Sequence, residues 1–289
     1  MWRSIQAFIQ AHIWLKAPYT LLRRGMRRAR GFLDRRTMGE EKFSECLKRI
    51  GVTPGATVMV HCSIDEVVRR VPGMNAVKFV TLLQKLLGDK GTLLVLTSPF
   101  SGTESEYVHS HDTFDVRRTP SKTGLFTEVF RRMPGVTRSM QPTHPVAAWG
   151  VNAHALTATH HLGTAFGPQS PFLKLADCRG IIVGVGARMG KYFTIMHAVE
   201  ELHPRTRELL FEKTPYEIKI VNGAETIAYS SHALRTGMKR NVVLLEDVLR
   251  ADGTVHGFTK SGLLFDAADA KALVEHGLEL IERKVYIPD

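Results

Sequence analysis

Thr194, His197 and Glu200 stand three residues apart in the stretch TIMHAVE. On a helix that spacing sets all three along one side. The residues between them, Ile195, Met196, Ala198 and Val199, are apolar, which places this helix in or near a core. A histidine held by a carboxylate among apolar neighbours is how a general base is built. The carboxylate orients the imidazole and supports its protonated form. The same pattern also suits a half-buried histidine that its glutamate merely satisfies, and these residues alone leave both readings open. A single His-x-x-Glu offers too few ligands for a metal.

A second stretch, Ser101–Asp115 (SGTESEYVHSHDTFD), carries Glu104, Glu106, Asp112 and Asp115 with no Lys or Arg. It reads as a fifteen-residue loop without secondary structure, a kind of segment that tends to be functional or disordered. Four negative charges beside a cleft would draw in a cationic or amine-bearing substrate. A solvated surface loop, or a metal held by His109, His111 and Asp112, are the other readings. Arg138 and Ser139, in RSMQPTHPVAAWG, could meet a phosphate or an amide, or could serve turn chemistry alone. Gly184 to Gly190 is spaced GxGxxxG rather than GxGxxG, so it reads as a tight strand-to-helix turn and not a dinucleotide fingerprint.

The elements that must position these residues follow from periodicity. Met38–Ile50 is a predicted helix and Thr57–Ser63 a predicted strand. Asn75–Leu87 is a helix with Gly88 beyond its end, and Gly91–Ser98 a buried strand. Strand, helix, strand over about forty residues is a βαβ unit and argues for parallel pairing. Gly124–Met133 is a further helix, Val146–Gly150 and Gly180–Gly186 are strands, and Lys191–Leu202 is a helix. Ser170 is suited to cap a helix that begins at Pro171. From Leu209 the texture changes to exposed antiparallel strands, and Ala267–Arg283 closes the chain as a long amphipathic helix. The fold class is therefore α/β, a single domain over residues 37–289 with a mainly parallel central sheet flanked by helices and an antiparallel C-terminal extension.

With 289 residues, 44% hydrophobic and 23% charged, the chain has an ordinary globular composition. Three dispersed cysteines exclude a disulfide framework and a CxxC clip, so a reducing, cytoplasmic setting is expected. Most of the net charge of +11 sits in residues 1–36, where nine basic residues face Asp34 alone. This basic arm reads as an amphipathic helix suited to its own domain, to a second subunit or to peripheral contact with an anionic membrane surface. It is too interrupted for a membrane span, and no pattern in it supports nucleic-acid binding.

Seven segments in order are together similar to the aminoglycoside 3-N-acetyltransferase family, over Thr37 to Arg283. They are Val60-His-Cys-Ser63, Gly91-Thr-Leu, Pro134-Gly-Val-Thr-Arg-Ser139, Val146-Ala-Ala-Trp-Gly150, Gln169-Ser-Pro171, Thr194…His197…Glu200 and Leu264-Phe-Asp-Ala-Ala-Asp269. The resemblance implies an acetyl-CoA-dependent acyltransferase that acetylates an amino group of an aminoglycoside, an antibiotic-resistance activity, or of a related amino sugar. It implies His197 as general base oriented by Glu200, with backbone N–H groups or the Thr194 hydroxyl for the oxyanion. Cys62, Ser63, Arg138 and Ser139 would position the coenzyme, and no metal is expected. Glu104, Glu106 and Asp112, with Asp266 or Asp269, would hold the acceptor's ammonium groups.

The chain departs from the family pattern at two places. Gln141 stands where the family usually has His, and Pro145 where it usually has Ser, with His144 as a stand-in from a shifted position. His61-Cys62-Ser63 replaces the common His-Ser-Ser. These changes bear on the acceptor side and favour, as an alternative, an amino sugar of surface-polysaccharide or metabolite assembly. A binding protein that keeps the fold without catalysis is the alternative from another class. The oligomeric state stays open.

Overall fold

The computed structural model describes residues 36–188 and 194–286. The basic arm of residues 1–36 lies outside them, but for Arg36, as do residues 189–193 and with them Gly190 and the expected start of the helix at Lys191. Met38–Asp289 holds together as one unit by its own contacts.

Seven strands form the main sheet. In chain order they are β1 (Thr57–Cys62), β2 (Thr92–Leu96), β4 (Thr137–Arg138), β5 (Val146–Gly150), β6 (Ile181–Val185), β9 (Val255–Lys260) and β10 (Leu263–Asp269). Their spatial order is β4-β5-β2-β1-β6-β10-β9. The central trio β2-β1-β6 is parallel, with Thr57 opposite Thr92 and Val58 opposite Ile181. Antiparallel strands extend it on both sides, β5 along β2 and β10 along β6. TVMVHC and TLLVL are near-continuous apolar runs because both faces of these strands are covered. Alternate residues enter different cores: Val58, Val60, Leu93, Val95, Val183 and Val185 point one way, and Met59, Leu94 and Ile182 the other.

The first face is covered by α1 (Glu40–Arg49), α2 (Ile64–Arg70), α3 (Ala76–Leu87) and α5 (Leu125–Phe130). Within α3, Ala76, Phe79, Val80, Leu83 and Leu87 are buried at helical spacing. Asn75 caps its N-terminus by accepting from the Lys78 amide, and Gly88 ends it with φ +63°. The opposite face carries α6 (Ala153–Thr157), α7 (Pro171–Asp177), α8 (Ile195–Leu202), α10 (Val242–Ala251) and α11 (Ala270–Glu282), with α9 (Pro204–Leu210) following α8. α11 packs closely on α8: a Cβ at Gly277 would lie 3.0 Å from both Met196 Cε and Val199 Cγ1. Burial of Leu273, Leu280 and Ile281 holds that contact, at roughly 2 kcal/mol for each side chain.

A second sheet has the order β3-β7-β8, from β3 (Thr113–Asp115), β7 (Tyr216–Asn222) and β8 (Glu225–Ser231). β7 and β8 form an antiparallel hairpin, as their alternation predicts: Tyr216, Ile218 and Ile220 are buried while Glu217 and Lys219 are exposed.

The expected loop Ser101–Asp115 is a correction. It contains α4 (Glu104–Ser110) and β3, with β3 pairing parallel to β7. Thr103 and Glu106 make a reciprocal capping box, which starts a helix where composition suggested none. The closing helix also begins later than expected, because Ala267–Asp269 belong to β10. Among the described residues no helix is long and apolar enough to cross a membrane.

Candidate active site

α8 is eight residues long, and its apolar residues Ile195, Met196, Ala198 and Val199 are buried against the second core. That packing fixes the direction of the other side chains. His197 Nδ1 lies 2.9 Å from Glu200 Oε2, with the Glu200 side chain fully buried and the imidazole 22% exposed. The carboxylate has further donors. Arg240 reaches Oε1 through Nε at 2.7 Å and Oε2 through Nη2 at 3.0 Å, and the Tyr286 hydroxyl donates to Oε1 at 2.5 Å. Burial on its own would raise the Glu200 pKa, but the bonds and charges of His197 and Arg240 bring it down to about 2. An ionised carboxylate only accepts, so Nδ1 carries the proton of the neutral ring and Nε2 is left as the basic nitrogen. Thr194 immediately precedes α8 in helical conformation, without a side-chain capping bond, one turn ahead of His197.

Phe166 joins this pair to a second one. Its ring lies 5.1 Å from that of His197 and 4.7 Å from that of His144, centroid to centroid. His144 also meets Phe100 edge-on at 5.4 Å. Its Nδ1 is 3.8 Å from Glu104 Oε1, and Glu104 Oε2 accepts from the Leu234 amide at 2.9 Å. Burial pushes Glu104 up to about 7, against hydrogen bonds from Thr143 and Leu234 that pull it down. The His144 pKa falls well below its ordinary value, through burial first and then the charges of His197 and His160.

Gln141 is fully buried and organises the turn that carries His144. Its Oε1 accepts from the Thr143 amide at 2.6 Å and the His144 amide at 2.8 Å. Its Nε2 donates to the Tyr229 hydroxyl at 3.0 Å, which in turn donates to the Gly163 carbonyl at 2.9 Å. One amide side chain thus ties the turn to β8 and to the 163 loop. Histidine could not accept two such bonds in the same way, having at most one acceptor nitrogen. Pro145 presents its carbonyl to both the amide and the hydroxyl of Thr97.

Cys62 ends β1 and Ser63 follows it, beside Gly186 at the end of β6. Ligands of α/β sheets occupy the crevice outside such strand ends, and Ser63 makes no side-chain capping bond that would occupy its hydroxyl. Burial pushes the Cys62 thiol up. Arg138 and Ser139 are engaged within the fold. The Arg138 guanidinium donates to Thr97 Oγ1, the Thr97 carbonyl and the carbonyls of Val116 and Thr119. Ser139 Oγ accepts from the Val146 amide and donates to His160 Nδ1, whose Nε2 donates to the Ala165 carbonyl.

The expected acceptor-binding carboxylates are dispersed. Glu106 is exposed and holds the Thr103 amide in the capping box. Asp112 is exposed beside β7, taking the Thr113 hydroxyl. Asp266 is fully buried and paired twice with Arg250, at 3.1 and 2.7 Å. Asp269 caps α11 by accepting from the Ala272 amide. Glu104 alone of the five lies against a histidine that shares Phe166 with His197. His109 and His111 direct Nδ1 at the carbonyls of Ser105 and Tyr107. Sequence reasoning missed Arg240, Tyr286 and Phe166, none of which carries a local signal.

Residues 59–282 match the family model described as aminoglycoside 3-N-acetyltransferase. Aminoglycoside N(3)-acetyltransferase VII of Streptomyces paromomycinus is 29% identical over 174 residues, 56% of this chain and 59% of the relative. Aminoglycoside N(3)-acetyltransferase III of Pseudomonas aeruginosa is 27% identical over 170 residues, 55% of this chain and 62% of the relative. The match thus spans about three fifths of the length of these curated relatives. Among solved structures, aminoglycoside acetyltransferase AAC(3)-Xa aligns with a TM-score of 0.70 at 25% identity, over 84% of this chain and 92% of its own. AAC-IIIb, described as binary with CoASH, aligns at 0.71 and 21% identity over 86% and 97%.

Proposed function

The chain belongs to the aminoglycoside 3-N-acetyltransferase family, and on that premise we propose that it transfers an acetyl group from acetyl-CoA to a primary amine of an aminoglycoside or related amino sugar. The observation that carries this reading is the His197–Glu200 pair: a partly exposed imidazole whose Nδ1 is fixed by a buried carboxylate that itself has three partners. The acceptor attacks as its free amine, and His197 Nε2 takes the proton that the nitrogen sheds as the N–C bond forms. Glu200 stabilises the resulting imidazolium, a contribution worth typically ~10²–10⁴ in rate. The oxyanion is met by backbone N–H groups or the Thr194 hydroxyl. Collapse of the tetrahedral adduct breaks the C–S bond, and the thiolate leaves to recover a proton from the imidazolium or solvent. The crevice at Cys62 and Ser63 takes the coenzyme. Relatives named as aminoglycoside N(3)-acetyltransferases and a neighbour holding CoASH support this assignment.

One observation favours an amino sugar with few amines over a polycationic drug. Asp266 and Asp269 are spent inside the fold, Glu106 in a cap, and Glu104 sits where burial opposes its charge. Of the five expected carboxylates Asp112 alone is left exposed and outside a helix cap, too little fixed negative charge to meet several ammonium groups.

Thiol release from acetyl-CoA against aminoglycosides and amino sugars, free and nucleotide-linked, tests both readings. His197→Ala is expected to lower turnover on the order of 10²–10⁴-fold with coenzyme affinity retained. Parallel loss of turnover and coenzyme binding would instead assign His197 a structural role. A chain that binds neither coenzyme nor acceptor would be the scaffold without chemistry.

A further inference from the structure

A cavity of about 680 Å³ opens beside Ser139 and Met140, at the start of the turn that carries His144. It lies between the exit of β3 (Val116, Arg117), the end of α5 (Arg131–Met133), β4, α6 and Asn222 at the end of β7. Arg117, Arg131, Arg132, Arg138 and His154 line it, and among the described residues no carboxylate does. Two of the guanidiniums are rigid. Arg138 donates to the Val116 carbonyl and Arg131 to the next one, Arg117, so the two stand side by side on successive peptide groups. Arg131 is further locked by Glu128, through Nε at 2.6 Å and Nη2 at 2.7 Å. The same Glu128 also serves Arg132 and the Ser121 amide, so one carboxylate behind the wall answers several donors. Burial first, and then the charge of Arg131, pulls the Arg138 pKa down, with Glu128 and Asp115 acting the other way. Arg117 and Arg132 are exposed, and Arg132 pairs with Glu128 from a side chain that is 65% exposed. Met133, Val136, Met140 and Ala158 supply an apolar floor.

We propose that this cavity is a binding site for a phosphate- or diphosphate-bearing small molecule, with Arg117 and Arg132 as its direct ligands and Arg131 and Arg138 as a fixed positive wall. Guanidinium forks match phosphate oxygens in pairs, and the volume suits a nucleotide-sized ligand. The His197 partners Glu200 and Phe166 do not line the cavity, and the inference deepens the acetyl-transfer reading, on which it rests for the identity of the ligand. Two sources offer the same chemistry: the phosphates of the coenzyme, or a phosphorylated or nucleotide-linked acceptor.

Isothermal titration of the full chain with inorganic pyrophosphate and with UDP, at low ionic strength, tests the site. Wild type is expected to bind both, Arg117→Ala/Arg132→Ala to bind at least tenfold more weakly, and Arg132→Lys to fall between. His197→Ala should bind as wild type does, which keeps this result independent of catalysis. Both substituted arginines are exposed, and a thermal melt will report intact folding. No binding by wild type at millimolar ligand, or double-variant affinity within twofold of wild type, overturns the proposal. Where binding is lost, CoA against dephospho-CoA, and a UDP-linked amino sugar, identify the source. Selective loss for CoA assigns the phosphate to the coenzyme, and selective loss for the sugar nucleotide assigns it to the acceptor.

Discussion

His197–Glu200 and His144–Glu104 are the same two residue types against the same phenylalanine, yet they are held in opposite states. Glu200 has an imidazole, a guanidinium and a phenol on its oxygens and is held as a carboxylate, down to about 2. Glu104 is just as buried but has a backbone amide and a threonine, with no cation, and is pushed up to about 7. Burial is common to both, so the difference comes from the donors. A buried carboxylate keeps its charge only where cationic or strongly polar partners outweigh its lost hydration. That is why one pair can work as a base while the other stays near neutral.

The contrast gives opposite pH behaviour. The Glu200 pKa is lowered on folding, so its stabilisation is present above the unfolded value near 4.5 and lost as pH falls towards about 2. The Glu104 pKa is raised, so the native state keeps a proton the unfolded chain has released, and stability falls as pH rises from about 4.5 through about 7. Glu200→Gln breaks the first pair and is expected to have the largest effect. Turnover should fall on the order of 10²–10⁴-fold, and the thermal melt should show a loss of ~3 kcal/mol as Arg240 loses its partner. Glu104→Gln sharpens the comparison in the other direction. Urea midpoints should match wild type near pH 4 and then exceed it increasingly, up to roughly 3 kcal/mol by pH 8. An unchanged difference across that range would sink the assignment of Glu104 as the uncompensated acid.

Gln141→Ala removes the acceptor for two buried amides and should cost ~2 kcal/mol. Urea unfolding checks that loss, and the substitution is expected to disturb the His144 side while leaving the His197–Glu200 bond in place, since no Gln141 bond reaches His197. Asp269→Ala strips the cap of α11 and should cost ~1 kcal/mol. Urea midpoints at neutral pH check it, and neither Glu200 nor Glu104 loses a donor.

The elements were legible where burial acts on both faces or on a clean stripe. TVMVHC, TLLVL and the α3 stripe each answer to one periodicity, and their limits moved by only a residue or two. Ser101–Asp115 reads as a loop by composition because its charges outweigh Thr103-x-x-Glu106, its local signal of a helix start. His197 and Glu200 were legible because their relation is local, three residues on one helix. Arg240 and Tyr286 were not, lying 40 and 86 residues beyond Glu200 with no pattern to tie them to it. Asp266 looked available in a run of small residues, but its partner Arg250 lies on a different element, 16 residues earlier. Gln141 was visible as a substitution, whereas its meaning required Tyr229, 88 residues away.

The distance in sequence between Glu200 and its donors also sets an order of events during translation. A growing chain presents Glu200 on an otherwise apolar segment long before Arg240 emerges, and Tyr286 emerges later still. Until then the carboxylate has only His197 to answer it, and the segment has every reason to stay hydrated rather than dock. Residues 240 to 286 therefore complete α8 electrostatically as well as covering it with α11, so a stretch made well after Glu200 supplies what its carboxylate needs.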